Sequence, residues 1–230
     1  MGGNVTKEKL CELVEKDDAK HLGKAIDHDA SHAQTILEDF FHCTLLHWAG
    51  RYNASKCARV LLDAGVDVNK TDDNGEIALH NAAMMGNAEV GLVLIQAGSD
   101  LSAVGGEEPA KTPLQTVLAS AGLVDPDDKE EVANLAARKV LIEAMLEVYG
   151  SNDDLDINQS SECGKSSAMD WLLGSENDES TPGGLIMAEW TADVKAKLEA
   201  AGGVLLDAEF LANLEEVRQM RKDIEAAQST

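Results

Sequence analysis

Two segments of the chain match each other at a spacing of 33 residues, a self-similarity that leaves few folds open. Leu46-His47 recurs as Leu79-His80, and Gly65 recurs as Gly98. A period of this length indicates one small structural unit that is copied along the chain. Each copy must stack on the next to bury its apolar face.

The residue types within each copy indicate two short helices. His47 and His80 stand at the start of the first helix, where their ring nitrogens can bond nearby backbone groups. Val60-Leu61-Leu62 provides a buried face for the second helix of the first copy. Gly65 and Gly98 follow the second helices, where a helix end favours a left-handed residue. Since both histidines repeat with the scaffold, a structural role is expected for them.

The two copies read TLLHWAGRYNASKCARVLLDAGVDVN and IALHNAAMMGNAEVGLVLIQAGSDLS, and Asn74-Gly75 before the second predicts a tight turn. This pattern resembles the ankyrin repeat, whose units have about 33 residues and begin with TPLHxA. The resemblance implies an all-α ankyrin-repeat solenoid of about four repeats, with helical end caps and short turn tips.

Further copies are expected on both sides. Thr112-Pro113-Leu114 begins a third copy, whose second helix is displaced to about 130–149, and Asp156-Ile157-Asn158 matches 67–69. A degenerate fourth copy starts near Gly164 and has its second helix at 194–203. The predicted organisation is a flexible N-terminus (1–9), an N-terminal capping repeat and loop (10–39), ankyrin repeats (40–206) with insertions near 122–130 and 174–190, and a C-terminal capping helix (207–230).

Composition agrees with this fold and narrows the partners. Apolar residues make up 44% of the chain and aromatic residues only 3%, so Ala, Leu, Val and Ile must build the core, which suits closely packed helices. The formal net charge is -23, with 42 acidic and 19 basic residues. Such a surface repels nucleic acids and anionic membranes and attracts basic proteins. A role in solubility alone explains the charge equally well.

The four cysteines show no paired or zinc-binding spacing, and no apolar run reaches the length of a membrane span or a secretory signal. The expected location is therefore intracellular and cytoplasmic.

Gly2 begins a motif, ending at Thr6, that matches the pattern for N-myristoylation. An ordinary flexible terminus or a cloning remnant could have the same sequence. Peripheral membrane contact is expected only if Gly2 is modified. Cys11 falls within a predicted helix, where packing is the commoner role.

No catalytic, cofactor or metal site is predicted. Gly164-Lys165-Ser166 resembles the end of a phosphate-binding loop, but Gln159 occupies the position where that loop needs glycine. His28 and His32 are four residues apart, yet the segment is expected to be a loop with solvated histidines. Nucleophile-elbow and HExxH motifs are absent from the sequence.

The resemblance implies that a partner protein lies in a concave groove formed by the turn tips and the first helices. Carried onto this sequence, the partner-binding positions are Phe40, Phe41, Trp48, Arg51, Tyr52, Asp73, Asn74, Glu76, Asn81, Met84 and Met85. Cys43 and the third-copy residues Thr116, Ala119 and Ser120 fall at equivalent places. An alternative is that Phe40, Phe41 and Trp48 pack against the N-terminal cap or the long loop.

The sequence therefore predicts a protein–protein interaction module, an adaptor or scaffold that recognises a basic and apolar protein segment. One alternative is a permanent structural subunit of a large assembly. An enzyme is a second alternative that no motif supports.

Overall fold

The computed structural model describes residues 5–38, 40–106, 110–121, 128–152, 154–159 and 182–203. Four predictions fall outside these residues: the Gly2 modification, most of the insertion near 122–130, the first helix of the fourth copy, and the C-terminal capping helix. The helices are α1 (Lys7–Glu15), α2 (Ala19–His28), α3 (Leu45–Arg51), α4 (Ser55–Asp63), α5 (Ala78–Met85), α6 (Ala88–Gln96), α7 (Pro113–Ala121), α8 (Lys129–Ser151) and α9 (Pro182–Ala200).

The helices contact one another in two rows. One row runs α1, α3, α5, α7, and the other runs α2, α4, α6, α8, α9, with each helix contacting its neighbours in the row. The core between the rows is built largely from leucine and alanine, among them Leu46, Leu61, Leu79 and Leu94, each at most 1% exposed. The mostly helical fold and the aliphatic core agree with the predictions from the sequence.

The glycine positions of the repeat lie where they were expected. Helix α4 ends at Asp63, and Gly65 follows with a φ of 80°. Helix α6 ends at Gln96, and Gly98 follows with a φ of 86°. The residue after each glycine donates back into its helix: Val66 N–H bonds to Leu61 O at 3.2 Å, and Ser99 N–H to Leu94 O at 3.1 Å. These bonds satisfy carbonyls that a helix end leaves open.

The N-terminal segment differs from the expectation in three ways. Helix α1 begins at Lys7, because Thr6 Oγ1 caps it by accepting the Lys9 N–H at 3.3 Å. The expected loop contains a 3₁₀ helix, Ala30–Gln34, and a two-residue strand β1 (Ile36–Leu37) that pairs antiparallel with β2 (Cys43–Thr44). His32 was expected in solvent, which is wrong. It is buried, because its Nδ1 lies 2.9 Å from the Ala25 carbonyl oxygen at the end of α2.

Helix α9 begins at Pro182, inside the insertion expected near 174–190 and twelve residues before Val194. Proline suits the first turn of a helix, since its missing N–H would have no partner there. Val194 and Leu198 of α9 are fully buried, and Lys197 Nζ lies 2.9 Å from Glu143 Oε1 on α8. The displaced second helix of the third copy, α8, spans Lys129–Ser151, close to its predicted bounds.

Candidate functional site

Buried histidines join each first helix to the turn that follows it. Thr44 N–H donates to His47 Nδ1 at 3.1 Å, which leaves the ring proton on Nε2 to donate to Glu76 O at 2.9 Å. His80 repeats the arrangement, accepting from Ile77 N–H at 3.2 Å and donating to Lys111 O at 2.9 Å. The structural role predicted for both histidines is confirmed. Their hydrogen bonds to Glu76 and Lys111 fix the positions of the turns that follow α3 and α5 relative to these helices.

Neighbouring turn tips are linked to one another through their main chains. Asp73 N–H donates to Phe41 O at 2.9 Å, and Gly106 N–H donates to Asn74 O at 3.0 Å. Within the second tip, Asp72 Oδ1 accepts the N–H groups of Asn74 and Glu76, both at 2.9 Å. The tips therefore form a connected rim.

A groove of about 640 Å³ lies between this rim and the C-terminal halves of the first helices. It is lined by Glu15, Phe40, Phe41, Cys43, Trp48, Arg51, Tyr52, Asp72, Asn74, Glu76, Asn81 and Met84. Nine of the eleven predicted partner-binding residues are among them. Asp73 and Met85 do not line the groove, although both are exposed beside lining residues. The structure thus brings most of the predicted positions together.

Three aromatic side chains form one wall of the groove, which we call the aromatic wall: Phe40, Trp48 and Tyr52. The ring centroids of Phe40 and Trp48 are 5.0 Å apart, and those of Trp48 and Tyr52 are 5.1 Å apart. Trp48 is half-buried and donates its Nε1–H to Glu15 Oε1 of α1 at 3.2 Å. The alternative of packing against the N-terminal cap therefore holds in part for Trp48. Phe40 and Phe41 stay 51% and 63% exposed.

The charges that line the groove are mostly negative. Glu15, Asp72 and Glu76 contribute carboxylates, and Arg51 is the one cation among the described lining residues. Burial raises the pKa of Glu76, and the nearby charge of Asp72 raises it further, while Lys111 lowers it. The contribution of Asp72 shows that two carboxylates lie close together on this side of the groove.

The groove thiol is poorly suited to nucleophilic chemistry. Burial and the charge of Asp72, whose Oδ2 lies 3.6 Å from Cys43 Sγ, raise the pKa of Cys43 to about 12. The thiol is therefore protonated near neutral pH, and the thiolate is the reactive form. Burial also lowers the pKa of His47, whose two ring nitrogens are already engaged. Cys43 is thus not poised as a nucleophile, and His47 is held in a structural role.

The third copy contributes less to the groove than expected. Thr116 is buried, and its hydroxyl donates to Thr112 O at 3.0 Å. Ser120 is half-buried and donates to Ala83 O at 3.3 Å, and Ala119 is also half-buried. Of these three side chains, Ser120 links α7 to α5, and Thr116 bonds within its own segment.

Two lining residues were missed by the sequence analysis. Glu15 lies at the end of α1, 33 residues before its partner Trp48, and it reaches the groove only because α1 packs on α3. Asp72 stands in the turn that was recognised, but the motif assigned it no role in binding. An acidic residue at the last turn of the predicted capping helix was the only sequence signal for Glu15.

Comparison with known protein families supports the repeat assignment. The family model for ankyrin repeats (many copies) matches residues 46–95, which include α3 to α6 and the two histidine links. Residues 46–95 are ankyrin repeats. Ankyrin repeats are generally protein–protein interaction modules and are not typically enzymes. None of the helices in the described ranges is long and apolar enough to cross a membrane.

Proposed function

We propose that this chain is an ankyrin adaptor or scaffold whose groove binds an extended segment of a partner protein. The observation that carries the proposal is the distribution of exposed large apolar side chains. Among the described residues, five of the seven belong to the predicted binding set: Phe40, Phe41, Tyr52, Met84 and Met85. Contiguous exposed apolar side chains with a polar rim are typical of interaction sites.

The chemistry of the groove favours a partner segment with basic and apolar side chains. Phe40, Tyr52 and Met84 offer apolar contact, and methionine adapts to varied shapes. Glu15, Asp72 and Glu76 favour cationic side chains, and the net charge of -23 steers basic segments towards the protein. Arg51 supplies hydrogen-bond donors that suit main-chain carbonyls of the bound segment.

A solenoid of about four repeats is part of the same proposal, and two matching hydrogen bonds support it. Asn69 Nδ2 donates to Gly98 O at 3.3 Å, which joins the end of one repeat to the end of the next. Asn158 Nδ2 donates to Gly202 O at 3.1 Å in the same way. Gly202 has a φ of 89°, like Gly98. This equivalence supports the proposal that α9 is the second helix of a fourth repeat.

N-myristoylation of Gly2 remains a prediction from the sequence motif. A single acyl chain binds membranes with a constant of only about 10⁴ M⁻¹, so it would give reversible contact. Intact-mass measurement of the protein from its native cell tests this point. A mass without the acyl group on Gly2 would contradict it.

A direct test needs a ligand, which can be obtained by selecting peptides that bind the full-length protein from a random display library. We expect Tyr52→Ala to raise the Kd of a selected peptide by about tenfold or more, since aromatic anchors dominate interface energetics. Val140→Ala is the matched control, because Val140 is 45% exposed on α8 and does not line the groove. Unchanged binding by the Tyr52 variant, with an intact melting transition, would place the site elsewhere.

The acidic side of the groove needs a second pair of variants. Glu76→Gln removes a groove carboxylate with little change in shape, and Glu89→Gln removes an exposed carboxylate from α6. We expect only Glu76→Gln to weaken the peptide and to reduce the salt dependence of its binding. Equal effects of the two variants would indicate that net charge alone attracts the peptide.

A further inference from the structure

A second cavity lies beside the groove and shares with it the Phe40 and Trp48 side chains, whose rings contact each other at an interplanar angle of 58°. It has a volume of about 290 Å³ and is lined by Lys7, Glu8, Cys11, Glu15, Leu37, Glu38, Phe40 and Trp48. Glu15, Phe40 and Trp48 line the groove as well. We call this space the α1 cavity, since half of its lining residues come from α1. Its volume is at the lower end of the range for small-molecule pockets, about 300–1,000 Å³, and suits a single large side chain.

The α1 cavity combines apolar walls with carboxylates. Leu37 is buried, Cys11 is half-buried, and the rings of Phe40 and Trp48 are in contact at a centroid distance of 5.0 Å. Glu8, Glu15 and Glu38 add three carboxylates. Lys7, the one cation among the described residues that line the cavity, lies 3.1 Å from Glu38, and both of these side chains are more than half exposed. An exposed pair of this kind is weak, so it competes little with a ligand.

Glu15 links the aromatic wall to the acidic side of the cavity. Its Oε1 accepts the Trp48 Nε1–H at 3.2 Å, which fixes the indole ring relative to the end of α1. A carboxylate accepts several hydrogen bonds, so Glu15 retains capacity for a second donor. The cavity therefore presents aromatic rings and an oriented carboxylate side by side.

We propose that the α1 cavity receives one arginine side chain of the segment that binds in the groove. This inference rests on the proposed function of the groove, which it extends past Phe40 and Trp48. The methylene stem of arginine suits Leu37 and Cys11, and its planar guanidinium stacks on aromatic rings while its fork of N–H donors binds carboxylates. Lysine has a compact ammonium that stacks less well. Three carboxylates make the cavity unfavourable for a fatty acyl chain or an anion.

A minimal probe tests the cavity without any selected peptide. N-acetyl-arginine amide is titrated into ¹⁵N-labelled full-length protein, and the indole N–H signals of its three tryptophans are followed by NMR. A Trp48→Phe variant assigns the Trp48 signal. We expect a saturable shift of that signal, with a Kd on the order of a millimolar or weaker because so small a ligand makes few contacts. N-acetyl-citrulline amide, a neutral ligand of nearly the same shape, is expected to leave the signal in place.

Two variants locate the effect. Glu15→Gln keeps an oxygen that can accept the indole N–H but removes the charge, so we expect it to abolish most of the shift. Glu89→Gln on α6 serves as the control and should behave like the wild type. Equal shifts with the arginine and citrulline amides, or a larger shift with N-acetyl-lysine amide, would overturn the arginine assignment.

The selected peptides separate this inference from the proposed function. Replacing the arginine of a groove-binding peptide by citrulline should raise its Kd by about tenfold, an effect between those of an exposed and a fully desolvated cation–π contact. Peptides that need Tyr52 but tolerate citrulline at every arginine would overturn the arginine subsite and leave groove binding intact. Peptides that bind the Tyr52→Ala variant as tightly as the wild type would instead overturn the function proposed for the groove. The subsite would then no longer be part of a continuous binding surface.

Discussion

Gln115 Nε2 donates to the main-chain oxygen of Gln159 at 2.7 Å, while Gln115 Oε1 accepts the Thr112 N–H at 2.9 Å. Gln115 occupies the position at which the two preceding repeats have His47 and His80. The amide reproduces both histidine bonds, since one end accepts from the residue three positions before it and the other donates to the following turn. Helix α7 is thus linked to its following turn in the same way, by a side chain that cannot become charged.

The first prediction concerns His80, whose two bonds an amide should be able to replace. We expect His80→Gln to cost less than about 1.5 kcal/mol in the free energy of unfolding, because Gln115 shows that the geometry can be met. His80→Ala should cost about 2–4 kcal/mol, since it leaves the Ile77 N–H without its acceptor, removes one of the two hydrogen bonds to the Lys111 carbonyl oxygen (the Gly105 N–H makes the other) and opens a cavity. Urea unfolding at pH 7.5 measures both. Equal losses in the two variants would contradict this role for the ring.

The second prediction is a pH dependence of stability that comes from the same ring. Burial lowers the pKa of His80 from 6.5 to about 4. His80 is therefore protonated below about pH 6.5 in the unfolded chain, but only below about pH 4 in the folded protein. Stability from this group is complete above pH 6.5, falls as the pH drops, and levels off below about 4. A pKa difference between 6.5 in the unfolded chain and about 4 in the folded protein corresponds to about 3 kcal/mol of unfolding free energy.

The pH effect is read as a difference between variants, because carboxylates also titrate in this range. Between pH 7.5 and 4, the wild type should lose about 3 kcal/mol more of its unfolding free energy than His80→Gln, which cannot be protonated there. The control is His28→Gln, since His28 is exposed at the end of α2. Its pH profile should run parallel to that of the wild type. A wild-type profile parallel to that of His80→Gln would contradict the prediction.

The repeat made much of this architecture predictable. The same local features recur every 33 residues, so the structure of one copy predicts that of the next. These features are the histidines His47 and His80 and the glycines that follow α4 and α6. The groove positions came from the resemblance to ankyrin repeats, whose binding positions were carried onto the same register. His32 and the β1–β2 pair were missed because they depend on how the N-terminal segment folds back on α2, and no repeat specifies that. The α1 cavity depends on contact between α1 and α3 and has no local signature.

The third prediction compares two glycines that are needed for different reasons. A Cβ on Gly50 would lie 2.5 Å from the main-chain oxygen of Ala78, where α3 and α5 pack closely. A Cβ on Gly65 would meet nothing within 4 Å, but its φ of 80° is strained for other residues. We expect Gly65→Ala to cost about 1 kcal/mol and Gly50→Ala about 2–4 kcal/mol, because the helices must move apart. Thermal and urea unfolding measure the order. A smaller loss for Gly50→Ala would show that α3 and α5 can separate easily.

The fourth prediction concerns Arg138 of α8, which satisfies the C-terminal end of α5. Its guanidinium donates to Ala83 O at 3.3 Å, to Met84 O at 3.2 Å and to the hydroxyl of Ser120, and the residue is 7% exposed. Burial lowers the pKa of Arg138, because the buried guanidinium loses contact with water. The hydrogen bonds to the carbonyl oxygens at the end of α5 offset this desolvation. We expect Arg138→Met to destabilise the protein by about 2–4 kcal/mol and to weaken groove-binding peptides, because Met84 loses its support.

Lys139→Met provides a matched control one residue away. Lys139 Nζ lies 2.7 Å from Asp193 Oδ2 in a pair that is partly exposed, so its loss should cost less than about 1 kcal/mol. Hydrogen exchange adds a local measurement. In Arg138→Met, exchange should accelerate more, relative to the wild type, for amides at the end of α5 than for amides of α3, because the C-terminal end of α5 frays first. Uniform acceleration across both helices would show that Arg138 stabilises the array as a whole and does not specifically fix the groove end of α5.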